Sequence, residues 1–206
     1  MDYSITSGPL GLRLIRLRDA SEWRSVRLRN RNWLNQWDAT SPIGGADIPP
    51  TFSAMVRALR AEARAGRTIP WVITENSGIV GQLTIGGIAA GSLRCAHAGY
   101  WVDQRVAGRG IAPTALAMGI DFCFQQLEMH RIEVNIRPEN VASRRVVEKL
   151  GLRYEGLRER YLHINGQWRD HLSYAVTAEE VPAGLINRLQ RAQNPVPGGP
   201  GPISSK

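Results

Sequence analysis

Residues Arg105-Val106-Ala107-Gly108-Arg109-Gly110, followed by Ile111-Ala112-Pro113-Thr114-Ala115-Leu116, form a stretch whose residue types and spacing could do chemistry. Glycines at 108 and 110 let a backbone come close to a ligand because no side chain intervenes. A helix starting near Ile111 would leave its first amides, those of Ile111 and Ala112 among them, without intrahelical acceptors and concentrate about half a positive charge there. The ligand suited to such a place is an anion, and a diphosphate in particular. Arg105 and Arg109 could add charge-assisted contacts. A Gly-x-Gly turn also serves as a plain tight link from strand to helix, and these residues alone leave both readings open. Two other nucleotide motifs are set aside. A dinucleotide fold wants Gly or Ala where Pro113 stands and places the motif in the first β-α unit; a P-loop wants Gly-Lys-Ser/Thr, which is absent.

Such a cradle needs a strand before it and a helix after it. AHAGYWVD reads as the strand and IAPTALAMGIDFCFQQL as the helix. Upstream, Leu12, Leu14, Ile15 and Leu17 predict a strand, and a helix follows from Asp19 or Ser21 with Trp23, Val26 and Leu28 at helical spacing. A polar loop with Pro and Gly near residues 38–50 leads to TFSAMVRALRAEARAG, a second helix closed by Gly66. WVIT and IVGQLTIGGI, separated by ENSG, then join AHAGYWVD in an antiparallel meander. Downstream, RIEVNI is a short strand, NVASRRVVEKLG a helix capped by Asn140 and closed by Gly151, and Asn165-Gly166 the turn of a final hairpin. The predicted order is β-α-α-β-β-β-α-β-α-β-β. Residues 192–206 are rich in Pro and Gly with little to bury and are expected to be a disordered tail beyond one domain spanning 1–191.

With 206 residues the chain can bury a real core, and one domain is the default. No apolar run approaches the roughly 18 residues a membrane span needs, and the first residues do not read as a signal peptide, so a cytoplasmic protein without a membrane partner is expected. The net charge of +8 is carried almost wholly by arginine. It could mark a surface facing the ribosome or reflect a bias toward arginine; no basic run interleaved with aromatics points to sequence-specific nucleic-acid binding. Cys95 and Cys123 lack metal spacing and read as reduced structural thiols, and no metal is expected.

Arg105–Gly110 also matches the Gln/Arg-x-x-Gly-x-Gly/Ala signature of the GNAT superfamily of N-acetyltransferases, and HRIEVNIRPENVASRRVVEKLGLRYEGLRERYLHINGQWRDHLSYAV resembles the RimJ and RimL type that acetylates alanine on ribosomal proteins. The resemblance runs from about residue 10 to about 180. It implies an α/β (α+β) GNAT fold, a mixed and mostly antiparallel sheet with a splayed central strand pair flanked by helices. It also implies acetyl-CoA as co-substrate and a ribosomal protein N-terminus, or the ribosome, as partner of a monomer or homodimer. An acceptor amine would attack the thioester directly in a ternary complex. A peptide α-amine has a pKa of about 7.7–8, so only mild base assistance is needed.

Carried over by position, the resemblance implies a backbone N–H of Trp101, Val102 or Asp103 as oxyanion donor and Ser143 as hydrogen-bond donor to the leaving thiolate. Asn135 and Asn140 would grip the pantetheine and the helix entry. For Ser143 and Asn140, helix capping is an alternative reading. The glutamate of RimL-type enzymes falls at Leu162 here, so the base is assigned to Glu133, on the same strand face as Asn135; an ion pair with an arginine is the competing account. The tyrosine acid of RimI-like relatives falls at Val147. Trp33 and Trp37, four apart, would wall an acceptor groove together with Tyr100, although core packing is expected for at least one of the tryptophans. Asp170 and His171 could orient groups near the cleft or pair across the last hairpin, and Cys123 reads as core. A small-molecule amine or aminoglycoside as acceptor, or a non-catalytic acyl-CoA-binding module, are the alternatives.

Overall fold

The computed structural model describes residues 3–43 and 49–193. Strands β1 (Ile5–Ser7) and β2 (Leu10–Leu14) lead into helices α1 (Ala20–Arg29), α2 (Arg31–Leu34) and α3 (Phe52–Arg64). The meander β3 (Ile69–Glu75), β4 (Gly78–Ala89) and β5 (Cys95–Val102) follows, then α4 (Ile111–Gln126), β6 (Arg131–Ile136) and α5 (Val141–Leu150). The hairpin β7 (Arg153–Ile164) and β8 (Gln167–Thr177) and the helix α6 (Leu185–Gln193) follow. One sheet runs in the order β1-β2-β3-β4-β5-β6-β8-β7, and every neighbouring pair is antiparallel except β5 with β6. The mixed, mostly antiparallel sheet flanked by helices is thus as the sequence leads one to expect.

That one parallel pair creates the site. β5 and β6 pair only through Cys95–His97 against Arg131–Glu133. Beyond His97, β5 stays on β4 as far as Val102 while β6 stays on β8 as far as Ile136. The two central strands therefore part, and the resulting wedge opens toward the start of α4.

Apolar side chains alternate along the strands and are buried on both faces of the sheet. Trp71, Leu83, Ile85, Ile132 and Val134 pack with Leu116 and Ile120 of α4, Val147 and Leu150 of α5 and Leu185 of α6. On the other face Val72 and Ile79 meet Ile15 and, from α3, Phe52 and Val56. α4 lies so close to the sheet that a Cβ on Gly119 would sit 2.5 Å from Leu83 Cδ2, which explains a glycine in mid-helix.

Local signals act as read. The Thr51 hydroxyl caps α3 by accepting from the Ala54 N–H at 3.1 Å, and Asn140 caps α5 by accepting from the Ser143 N–H at 3.1 Å. Gly151 ends α5 at φ +70, and Asn165 and Gly166, at φ +46 and +83, make the hairpin turn. Three elements differ. β1, α2 and α6 lie outside the predicted order, and Leu28, at helical spacing with Trp23 and Val26 in α1, is 72% exposed. α6 begins after Gly184 with no capping side chain of its own; the Asp121 carboxylate, from α4, accepts from the Leu185 and Ile186 N–H groups at 2.6 and 3.0 Å. Ala192 and Gln193 belong to α6, and the rest of the expected tail lies outside the described residues. No helix among the described residues is long and apolar enough to cross a membrane.

Candidate active site

The wedge between β5 and β6 widens into a cleft of about 860 Å³. Gly99 to Val102 of β5, Gly108, Gly110 and the first turn of α4, and Asn140 to Ser143 at the start of α5 all line it. Gly108 and Gly110 have φ of +80 and +83, the left-handed region that side chains disfavour. No protein atom lies within 4 Å of where their Cβ atoms would be, so both glycines face open space. The first-turn amides of α4 that have no intrahelical acceptor are at this mouth, and Pro113, the third helical residue, has no N–H to satisfy.

Strand alternation decides which amides of β5 face the wedge. Asp103 donates its N–H to the Val80 carbonyl at 2.7 Å, toward β4. Residues two apart on a strand point their backbone groups the same way, so Trp101 also turns to β4. The N–H groups of Tyr100 and Val102 are left facing the opening. Of the three backbone donors the sequence offered, Asp103 is thereby removed, Trp101 turns away, and Val102 remains.

A buried polar knot holds the end of β5. Asp103 and Asn30 are each 2% exposed. Arg29 Nε donates to Asp103 Oδ2 at 2.9 Å, and Asn30 Nδ2 and the Arg105 N–H donate to Oδ1 at 2.8 and 3.2 Å. Asn30 Oδ1 in turn accepts from the Gln104 N–H at 2.9 Å. The C-terminus of α1 is thus fastened to the loop that carries the two glycines. Nothing in the local sequence announced this knot, whose members lie more than 70 positions apart.

Ser143 lines the cleft, and its capping alternative falls away: the Asn140 side chain takes the Ser143 amide, so the Ser143 hydroxyl is not the cap. The Tyr100 hydroxyl, also in the cleft wall, donates to the Ser143 carbonyl at 3.2 Å, tying β5 to α5 across the wedge; burial pushes that phenol well above its ordinary range. Trp33 and Trp37 both line the cleft and both are half-buried, so neither is the core residue that packing arguments favoured. Arg137, missed in the sequence, bridges this wall to the entrance of α5. Its guanidinium lies 5.2 Å from the Trp37 ring centroid, donates to the Gln36 carbonyl at 2.9 Å and pairs with Glu139 at 3.2 Å.

A cleft in the wedge of a splayed parallel pair, with a glycine turn and a helix start at its mouth, is the arrangement against which relatives can be compared. A family model described as "Acetyltransferase (GNAT) domain" matches residues 10–153. The chain belongs to the GNAT acetyltransferase family. Among solved structures, Mycobacterium smegmatis RimJ in complex with CoA-disulfide is 46% identical, aligned over 89% of each chain with a TM-score of 0.83. The ribosomal protein uS5-alanine N-acetyltransferase of Escherichia coli is 27% identical over 85% of this chain and 91% of its own. The probable N-acetyltransferase YjcK of Bacillus subtilis is 37% identical, with the match spanning 48% of this chain and 54% of that protein.

Not every expected site residue of this GNAT chain reaches the cleft. Glu133 does not line it: Oε1 pairs with Arg131 Nε at 3.0 Å and Oε2 with Arg158 at 2.8 Å, the ion-pair reading of that residue. Asn135 lies on the divergent part of β6, but its Oδ1 accepts from the Ser173 hydroxyl at 2.7 Å and its side chain is not in the cleft wall. Arg109 pairs with Glu75 at 2.6 Å, and neither its side chain nor that of Arg105 lines the cleft wall. Asp170 Oδ1 accepts from the Arg160 N–H at 2.7 Å across the hairpin. Cys123 is fully buried and its thiol is pushed up to about 12 by burial, which leaves no thiolate to carry an acyl group.

His171 is 3% exposed, and burial lowers its pKa from the ordinary 6.5. The unfolded chain therefore binds a proton near pH 6.5 that the folded chain refuses until lower pH, so stability falls as the pH drops below about 6.5. Thermal unfolding of His171→Asn is expected to show a shallower loss between pH 7 and 5 than the wild type.

Proposed function

We propose that this acetyltransferase transfers the acetyl group of acetyl-CoA to the α-amine of a protein N-terminus, an alanine of a ribosomal protein, by direct attack. The observation carrying this reading is the continuity of one cleft from the glycine turn and α4 start, past the open amides of β5, to the wall made by Trp33 and Trp37. The likeness to a RimJ with bound coenzyme and to an enzyme acting on ribosomal protein uS5 supports both substrates. The net charge of +8 suits an acceptor on the ribosome in the cytoplasm.

The residues fit such a coenzyme. Glycines at left-handed φ with open space at their Cβ positions admit a diphosphate to the backbone amides of Gly108, Gly110, Ile111 and Ala112, the Arg109 amide being donated to the Val106 carbonyl. Bound acetyl-CoA supplies the activated thioester carbonyl. The Val102 N–H faces the opening and holds the negative charge developing on the acyl oxygen. The Ser143 hydroxyl, free of capping duty, would hydrogen-bond the sulfur as the C–S bond breaks, and the proton lost by the attacking nitrogen on amide formation would go to the departing thiolate, which leaves as free thiol. Trp33 and Trp37 form an apolar wall that accepts a small N-terminal residue. Because Glu133 is committed to two arginines, the amine sheds its proton to water at the cleft mouth, and its own pKa of about 7.7–8 sets the pH at which the rate rises.

The defining experiment is turnover with an Ala-initiated basic peptide, read by thiol release and by mass. One acetyl on the N-terminus is expected; reaction of an aminoglycoside instead, or equal reaction of an N-terminally blocked peptide, would refute the acceptor. Ser143→Ala is expected to lower kcat roughly 10- to 100-fold with little change in KM for the coenzyme. Glu133→Gln is expected to keep kcat/KM within roughly threefold and the pH profile in place; a lost alkaline plateau would return the base role to Glu133.

A further inference from the structure

We infer that Arg145 and Lys149 of α5 form a subsite for the 3′-phosphate of the coenzyme, an inference that rests on the coenzyme reading of the cleft. Among the described residues, four charged ones line the cleft: Asp38, Glu139, Arg145 and Lys149. The two acids are already neutralised, Asp38 by Arg27 at 2.5 Å and Glu139 by Arg137 at 3.2 Å. Neither cation has a hydrogen-bond, ion-pair or ring partner among the described residues, and both are exposed. The third cation of the helix, Arg144, is engaged by Glu148 at 3.8 Å and by the Pro138 carbonyl. The cleft face of α5 thus carries two free positive charges where the adjoining face is balanced.

Spacing places the pair on one surface, because residues four apart on a helix lie one above the other. The glycine turn meets a diphosphate with backbone amides, and the loop's Arg109 is held by Glu75 outside the cleft. The second anionic group of the coenzyme, a phosphomonoester of charge near −2, therefore has the α5 pair as its cationic partner along the cleft. Such a subsite selects the 3′-phosphorylated coenzyme over one with a bare ribose hydroxyl.

Calorimetric titration of the full chain with coenzyme A and with dephospho-coenzyme A tests this. The wild type is expected to bind the phosphorylated form roughly 10-fold more tightly, with the preference shrinking as salt is raised. Arg145→Gln with Lys149→Met is expected to abolish the preference without weakening dephospho-coenzyme A. Arg57→Gln with Arg60→Gln, which removes the same charge from the exposed side of α3, is expected to keep the preference. Equal wild-type affinity for the two compounds, or a preference that survives in the α5 double variant, overturns the subsite while coenzyme binding stands. No heat with either compound overturns the coenzyme reading and the subsite with it. Both α5 positions are exposed, so the variants are expected to fold, and circular dichroism checks that.

Discussion

Gly110→Ala raises the KM for acetyl-CoA by roughly 10- to 100-fold, with kcat at saturating coenzyme little changed. At φ +83 an L-residue costs about 1–2 kcal/mol, and relieving that strain rotates the amides at the mouth of α4 away from the diphosphate. The protein itself leaves room for the methyl, since no atom lies within 4 Å of the new Cβ. The loss therefore falls on the ligand that approaches the backbone. Gly91→Ala is the control: at φ +71 in the β4–β5 turn it also has open space at its Cβ and does not line the cleft, so it should lower stability while leaving KM alone. Initial-rate kinetics on the two variants separate the effects, and an unchanged KM for Gly110→Ala would remove the backbone cradle from the proposal.

Asp103→Ala destabilises the fold by about 2–4 kcal/mol, because breaking a buried hydrogen-bonded ion pair strands its partners. Arg29 is 32% exposed and can turn partly to water, and Asn30 keeps its bond to the Val26 carbonyl, both of which hold the loss toward the lower end, whereas one buried Asn30 N–H is left without its acceptor. Activity should fall further than stability, since Asp103 directly follows Val102 and the knot fixes both that amide and the start of the glycine loop. The pH dependence gives an independent reading. Burial pushes the Asp103 carboxyl up, but the hydrogen bonds from Arg29, Asn30 and the Arg105 amide outweigh it and hold it below its ordinary value. A carboxyl lowered in the folded state stabilises above its unfolded pKa of about 3.9 and loses that contribution as the pH falls through its folded value. Urea unfolding of Asp103→Ala should therefore show a flatter decline below about pH 4 than the wild type. An identical acid limb in both proteins would mean that the knot contributes no charge-dependent stability.

The sequence made the glycine turn, the α4 start, the Asn140 cap, the Gly151 stop and the Asn165-Gly166 turn legible because each depends on residues within a few positions of one another. Strand alternation put Ile132 and Val134 on one face and Glu133 and Asn135 on the other, which is also how they lie. Only the tertiary structure decided what those polar faces meet. Glu133 is claimed by Arg158, 25 positions away, and Arg109 by Glu75, 34 positions away, so residue types suited to catalysis or phosphate binding were drawn into ion pairs by neighbours that the local pattern does not reveal. α6 escaped notice for the same reason, since its N-terminal amides are met by Asp121 of α4 rather than by a residue beside them. Caps, turns and periodicity are short-range and are written in the chain. The wedge, the Asn30–Asp103 knot and the free cations of α5 follow from which distant segments pack together, and that is settled by burying the apolar faces of the whole sheet at once.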